Sequence, residues 1–180
     1  MMKLEGTLTA LVTPFKDGQL DEDAYRKLVR TQLDEGVEGL VPVGTTGEAV
    51  TLSNQECERL TRIAVEGAAG KAPVIAGVGS NDTRKTIENV AWAREAGADG
   101  GLVVTPYYNK PSQAGLLAHF KAIAKAHPGF PLVAYNVPGR TAGDLLPETV
   151  ERLCELPEIV AIKEATGSLP RALELKAAGA

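Results

Sequence analysis

Short runs rich in Val, Ile, Leu and Ala recur along this chain at a nearly constant spacing. They begin near Thr7 (TLTALVTPF), Gly39 (GLVPVG), Pro73 (PVIAGVG), Gly100 (GGLVVTPYY), Pro131 (PLVAYNVP) and Ile159 (IVAIKEA), so successive starts lie 32, 34, 27, 31 and 28 residues apart. A strand, a crossover helix and two loops occupy about thirty residues, so each interval holds one βα unit. The runs are continuous rather than alternating, as expected of parallel strands covered on both faces.

The intervening segments read as helices. Asp21-Glu22-Asp23 places acids at the positive end of the first, and Tyr25, Leu28, Val29 and Leu33 form its apolar stripe up to Gly36. Ser53 with Glu56 predicts a capping box for a helix over 54–69, closed by Gly70. Asp82 caps the third, Ser112 starts the fourth, Pro147 sits in the first turn of the fifth and Ser168 caps the sixth. No linker or charge block interrupts the series, which predicts one domain over residues 1–180.

Composition narrows the function. Nineteen Lys and Arg against 23 Asp and Glu leave a net charge of −4, a poor footprint for nucleic acid. Apolar runs stop at Pro, Gly or a charge well short of a bilayer span, and the first residues lack the apolar core of a signal peptide. Cys57 and Cys154 have no metal-ligand spacing and read as reduced thiols. The expectation is a cytoplasmic protein without membrane or nucleic-acid partners.

Six βα units suggest an open doubly wound sheet or a (β/α)8 barrel. The barrel typically needs about 250 residues, so length favours the open sheet. Both architectures bind ligands at the C-terminal ends of their strands, and there the polar residues collect: Gly44-Thr45-Thr46-Gly47-Glu48, Gly79-Ser80-Asn81, Thr105-Pro106-Tyr107-Tyr108-Asn109, Tyr135-Asn136-Val137-Pro138-Gly139-Arg140-Thr141 and Lys163-Glu164.

Lys163 interrupts an apolar strand. An ammonium there loses hydration, and the neutral amine that results can attack a carbonyl to form a Schiff base; the alternative is a strand-end lysine whose amine reaches solvent. The Gly44–Glu48 turn offers amides and hydroxyls to a carboxylate or phosphate, or is a plain βα turn. It is no P-loop, and Gly77-Val78-Gly79 is only a fragment of a dinucleotide motif. Tyr107, Tyr108 and Tyr135 are three of four tyrosines, and a rim hydroxyl can relay protons if another, such as that of Thr45, bonds it. Arg140 follows a Pro-Gly turn, suiting a carboxylate or simply facing solvent. His119 and His127 lie on or just after the fourth helix, away from the rim, and receive no chemistry.

Taken in order, Gly44–Glu48, Thr105–Asn109, Tyr135–Thr141 and Ile162-Lys163-Glu164 closely resemble the dihydrodipicolinate synthase family, pyruvate-dependent class I aldolases, over Gly6 to about Lys176. The resemblance implies a (β/α)8 barrel, of which this chain carries about six βα units. It implies condensation of pyruvate with L-aspartate 4-semialdehyde in lysine (diaminopimelate) biosynthesis, in a homotetramer or dimer, without metal or organic cofactor. By the same resemblance Lys163 forms the imine with pyruvate, and Tyr135 donates and accepts the protons. Thr45 and Tyr108 complete the relay, Tyr108 by reaching into a neighbouring subunit's site. Thr46 and Gly47 bind the pyruvate carboxylate, and Arg140 receives that of the semialdehyde. The Pro-Gly-Arg-Thr stretch sets the chain apart from neuraminate lyases and sugar-acid aldolases, the alternative activities.

Two departures carry expectations. Lysine-inhibited members have Ser, His, His and Glu where this chain has Ala49, Asn54, Cys57 and Lys85. A cation at Lys85 opposes the inhibitor's ammonium, so lysine is expected to inhibit weakly or not at all. The family also continues through two more strands beyond Gly179-Ala180. That predicts an unstable isolated chain and keeps an inactive fragment among the readings, beside a nucleotide-binding open sheet.

Overall fold

Asp21 and Ser53 show how local sequence starts the helices. In the computed structural model, which describes residues 4–177 and 179, the Asp21 carboxylate accepts the Ala24 N–H at 2.9 Å and opens α1 (Glu22–Asp34). Ser53 opens α2 (Asn54–Ala68) through a complete capping box, its hydroxyl accepting the Glu56 N–H while the Glu56 carboxylate accepts the Ser53 N–H at 2.7 Å. α2 closes on Ala69 in the left-handed region, φ 47°, one residue before the expected Gly70.

The chain divides into two compact units. One comprises residues 4–78 with Ala91–Gly101; the other comprises Gly79–Val90 with residues 102–177 and 179.

In the first unit, β1 (Leu8–Ala10) runs parallel to β4 (Gly39–Val41), Thr9 opposite Leu40, and a parallel bridge joins Leu40 to Val74 beside β5 (Ile75–Gly77). Between β1 and α1 lies a hairpin of β2 (Phe15–Lys16) and β3 (Gln19–Leu20), not expected from the strand runs. Its turn is Asp17-Gly18, both at positive φ, the dipeptide that favours two-residue hairpins. α1 and α2 bury Tyr25, Val29, Leu60, Ile63 and Ala64 and are tied outside by Arg59–Glu22 and Arg26–Glu66 ion pairs. α3 (Thr83–Glu95) and β6 (Gly100–Val104) have residues in both units.

In the second unit, β6, β7 (Leu132–Asn136) and β8 (Ile159–Glu164) are hydrogen-bonded neighbours in that order. β7 and β8 are parallel, but their register slips. Leu132 pairs with Ile159, Val133 pairs with Ala161, and the ladder then runs through Tyr135–Lys163 to Asn136–Glu164. Val160 is the extra residue of this bulge. α4 (Gln113–Ala126) starts at Ser112, and a one-turn helix α5 (Pro138–Thr141), not foreseen from the sequence, follows β7. α6 (Pro147–Cys154) has Pro147 in its first turn, and α7 (Leu169–Ala177) is capped by Ser168, which accepts the Arg171 N–H at 3.3 Å. Phe120, Ile123, Leu132, Leu145, Leu153 and Leu175 form the core.

β8 departs from the expectation of strands covered on both faces. Ile159 to Ile162 are half-buried, because among the described residues only β7 pairs with β8. No helix of the described residues is long and apolar enough to cross a membrane.

Candidate active site

Lys163 lies one residue before the end of β8, and the shifted register sets it opposite Tyr135, the penultimate residue of β7. Paired residues of neighbouring strands project to the same face. The Lys163 Nζ accordingly stands 4.5 Å from the centre of the Tyr135 ring. Tyr135 is buried, and its carbonyl accepts the Thr105 N–H at 3.0 Å, which ties it to the end of β6. Two effects act on the Lys163 amine: the ring face favours the ammonium, and partial burial disfavours it. Burial holds the pKa below the ordinary lysine value. The side chain is not sealed off, since Lys163 retains substantial exposure. A partly desolvated amine with an open approach can attack a small carbonyl compound.

Arg140 and Tyr108 belong to the same unit. Arg140 lies on α5, fixed where the Arg140 N–H donates to the Val137 carbonyl at 2.9 Å, and its side chain is exposed. Tyr108 adopts φ 70° and is 88% exposed, so this loop residue points away from the core. A bulky residue in the left-handed region is a strained conformation. Asn109 anchors the loop by donating from Nδ2 to the Asn81 carbonyl at 3.0 Å.

In the first unit, Thr45 and Thr46 are exposed on a tight turn and Gly47 is buried beneath them. The turn closes through Gly47 N–H to the Gly44 carbonyl at 3.0 Å and Glu48 N–H to that of Thr45 at 3.1 Å. The buried Thr13 hydroxyl donates to the Gly47 carbonyl at 2.7 Å. A Cβ at Gly47 would stand 2.9 Å from the Leu11 carbonyl oxygen, so only glycine lets the turn lie this close to β1's continuation. Val43, β-branched and buried, precedes the turn at φ 48°, a strained entry to a candidate ligand loop.

Sequence reasoning passed over Asn136 as part of a motif. It is a fully buried polar side chain beside Tyr135, and that burial appears only in three dimensions. His119, given no chemistry from the sequence, is a buried packing residue. Its ring meets Phe120 edge-on, and its Nδ1 lies 2.9 Å from the Thr83 hydroxyl.

Comparison with known proteins places this geometry. The family model described as "Dihydrodipicolinate synthetase family" matches residues 3–179. The chain belongs to this family. Among its curated members, the 4-hydroxy-tetrahydrodipicolinate synthase of Nitratidesulfovibrio vulgaris (strain Miyazaki F) is 52% identical over 175 residues, covering 97% of this chain and 60% of the relative. The crystal structure of the dihydrodipicolinate synthase from Acinetobacter baumannii complexed with pyruvate superposes with a TM-score of 0.95 at 47% identity, over 98% of this chain and 61% of that one. A family structure described as the first monomeric dihydrodipicolinate synthase variant matches at a TM-score of 0.93 and 47% identity, over 96% of this chain and 57% of that one. The chain thus spans about 60% of the length of the curated relatives it matches. Family membership decides between the two architectures: the six βα units are those of the (β/α)8 barrel, not of an open doubly wound sheet.

Proposed function

We propose that this chain carries the pyruvate-binding site residues of a 4-hydroxy-tetrahydrodipicolinate synthase, a class I aldolase-type lyase. The observation that carries the reading is the Lys163 amine held over the Tyr135 ring at 4.5 Å.

The neutral Lys163 amine adds to the C2 carbonyl of pyruvate and water leaves, forming a protonated imine. That cation is an electron sink, so a C3 proton departs and an enamine forms. The enamine carbon attacks the aldehyde of L-aspartate 4-semialdehyde, making the new C–C bond. The Tyr135 hydroxyl carries protons to and from these centres, with Thr45 and Tyr108 completing the relay. The exposure of Tyr108 suits a role in a neighbouring subunit's site, within a homotetramer or dimer in the cytoplasm. Thr46, on the turn that Gly47 lets lie close to the strand, holds the pyruvate carboxylate, and the exposed Arg140 receives that of the semialdehyde through a charge-assisted fork. No metal or organic cofactor enters this chemistry. Lys85, with Asn54 and Cys57 where lysine-inhibited members have His, supports weak or absent inhibition by lysine.

Borohydride reduction in the presence of pyruvate, followed by peptide mass spectrometry, tests the reading. A pyruvate-sized adduct on the Lys163 peptide is expected. A protein that takes up no adduct, or takes it up elsewhere, overturns it.

A further inference from the structure

Asn136 ends β7 fully buried, and every polar atom of its side chain is engaged. Its Nδ2 donates to Asp144 Oδ1 at 2.8 Å and to Glu164 Oε2 at 3.0 Å, while its Oδ1 accepts the Leu145 N–H at 3.0 Å. Two donors and an acceptor on so short a stem are what an Asn side chain supplies. The amide thus joins two carboxylates that would otherwise repel. Arg171 offsets the charge of Asp144 from α7, with its Nη2 3.3 Å from Asp144 Oδ2, and its Nε also lies 3.8 Å from Glu174 on the same helix. The second Glu164 oxygen accepts the Thr166 N–H at 2.7 Å.

The place of this cluster gives it a consequence for Lys163. The Asn136–Glu164 pair directly follows the Tyr135–Lys163 pair in the ladder, and successive side chains alternate faces. The cluster therefore grips the strand ends from the side opposite the amine. The bulge at Val160 leaves a competing register. If the Leu132–Ile159 pairing continued without a slip, Tyr135 would face Ile162 and Lys163 would face Asn136. A one-residue slip of this kind reassigns every partner.

Resting on the Schiff-base reading of Lys163, we infer that Asn136 and Glu164 are positioning residues. Their cross-strand hydrogen bond holds the slipped register at the ends of β7 and β8, and so keeps the Lys163 amine over the Tyr135 ring without touching substrate.

Two readouts test this: the rate of borohydride trapping with pyruvate, and the pH midpoint of competitive trace acetylation at Lys163. Asn136→Asp sets a third carboxylate against the first two, and Glu164→Gln points an amide donor at another. Each is expected to slow trapping about 10- to 100-fold and to raise the acetylation midpoint. The double variant Asn136→Asp/Glu164→Gln reverses the cross-strand bond, the new amide donating to the new carboxylate while its oxygen still accepts Thr166 N–H, but it leaves the new carboxylate against Asp144. It is expected to trap faster than Asn136→Asp without regaining the parent rate. Single variants that match the parent in both readouts overturn the inference, as does a double variant no better than Asn136→Asp. If a single variant fails to fold, the other single and the double carry the comparison. If the parent traps no pyruvate, the Schiff-base reading fails, and the acetylation midpoints still decide the positioning role.

Discussion

Lys163 and Tyr135 are register partners across the β7–β8 ladder, and the Lys163 Nζ sits 4.5 Å from the centre of the Tyr135 ring. One aromatic side chain thereby serves two ends. Its face lies against the amine, and its hydroxyl is the group proposed to transfer protons.

These two ends separate in Tyr135→Phe, which keeps the ring and removes the hydroxyl. Borohydride trapping of pyruvate should persist, whereas exchange of the pyruvate methyl protons with deuterated solvent should fall by about 10²- to 10⁴-fold. NMR of the methyl signal measures the exchange. Parallel loss of trapping and exchange would place the hydroxyl in imine formation as well.

Lys163 sets a pH dependence. Burial holds its pKa below the ordinary 10.5, so the trapping rate should rise with pH to a midpoint below that of a free lysine amine. The stability effect has a definite sign. Between the folded pKa and 10.5 the unfolded chain binds the extra proton, so stability attributable to Lys163 rises with pH across that window. Lys163→Met should abolish the adduct and flatten that rise in urea melts.

His119 acts in the acid range. Burial pushes its pKa down to about 4, only partly opposed by the charge of Asp82. Its ring nitrogen Nε2 has no hydrogen-bond partner among the described residues. Between the folded value of about 4 and the usual 6.5 the unfolded state holds more protons, so stability falls as pH drops through that window. The loss is at most about 3 kcal/mol. Urea midpoints at pH 7 and pH 4.5 should differ more for the parent than for His119→Gln; equal differences would refute the assignment.

Gly47→Ala tests the candidate carboxylate turn. The added Cβ meets the backbone oxygen of Leu11 at 2.9 Å, and backbone yields less readily than a flexible side chain. A stability loss of about 1–3 kcal/mol is expected. Pyruvate trapping should require a higher pyruvate concentration, read as a shift in the concentration for half-maximal adduct.

Much of this was legible from residue order. The helix starts at Asp21, Ser53, Ser112 and Ser168 depend on side chains bonding backbone amides three residues away. Such contacts are readable because they are local. The hairpin at Asp17-Gly18 was equally local and its dipeptide was present, but its first strand begins at Phe15, the last residue of the run read as strand one. The short helix α5 was hidden for a different reason, since Pro138-Gly139 reads as a turn until the Arg140, Thr141 and Ala142 amides find their carbonyls.

The sequence by itself determined the order and type of the six βα units and placed Lys163, Tyr135, Arg140 and the Gly44–Glu48 turn at strand ends. Hydrophobic runs, caps and breakers do this through interactions within one segment. The register was decided only in the tertiary structure. Whether Lys163 faces Tyr135 or Asn136 depends on a one-residue bulge at Val160 between strands 28 residues apart, and on a buried amide that gathers one carboxylate from a loop and one from a strand. No spacing rule encodes that choice, because it is a difference between two whole-ladder pairings rather than a property of either strand.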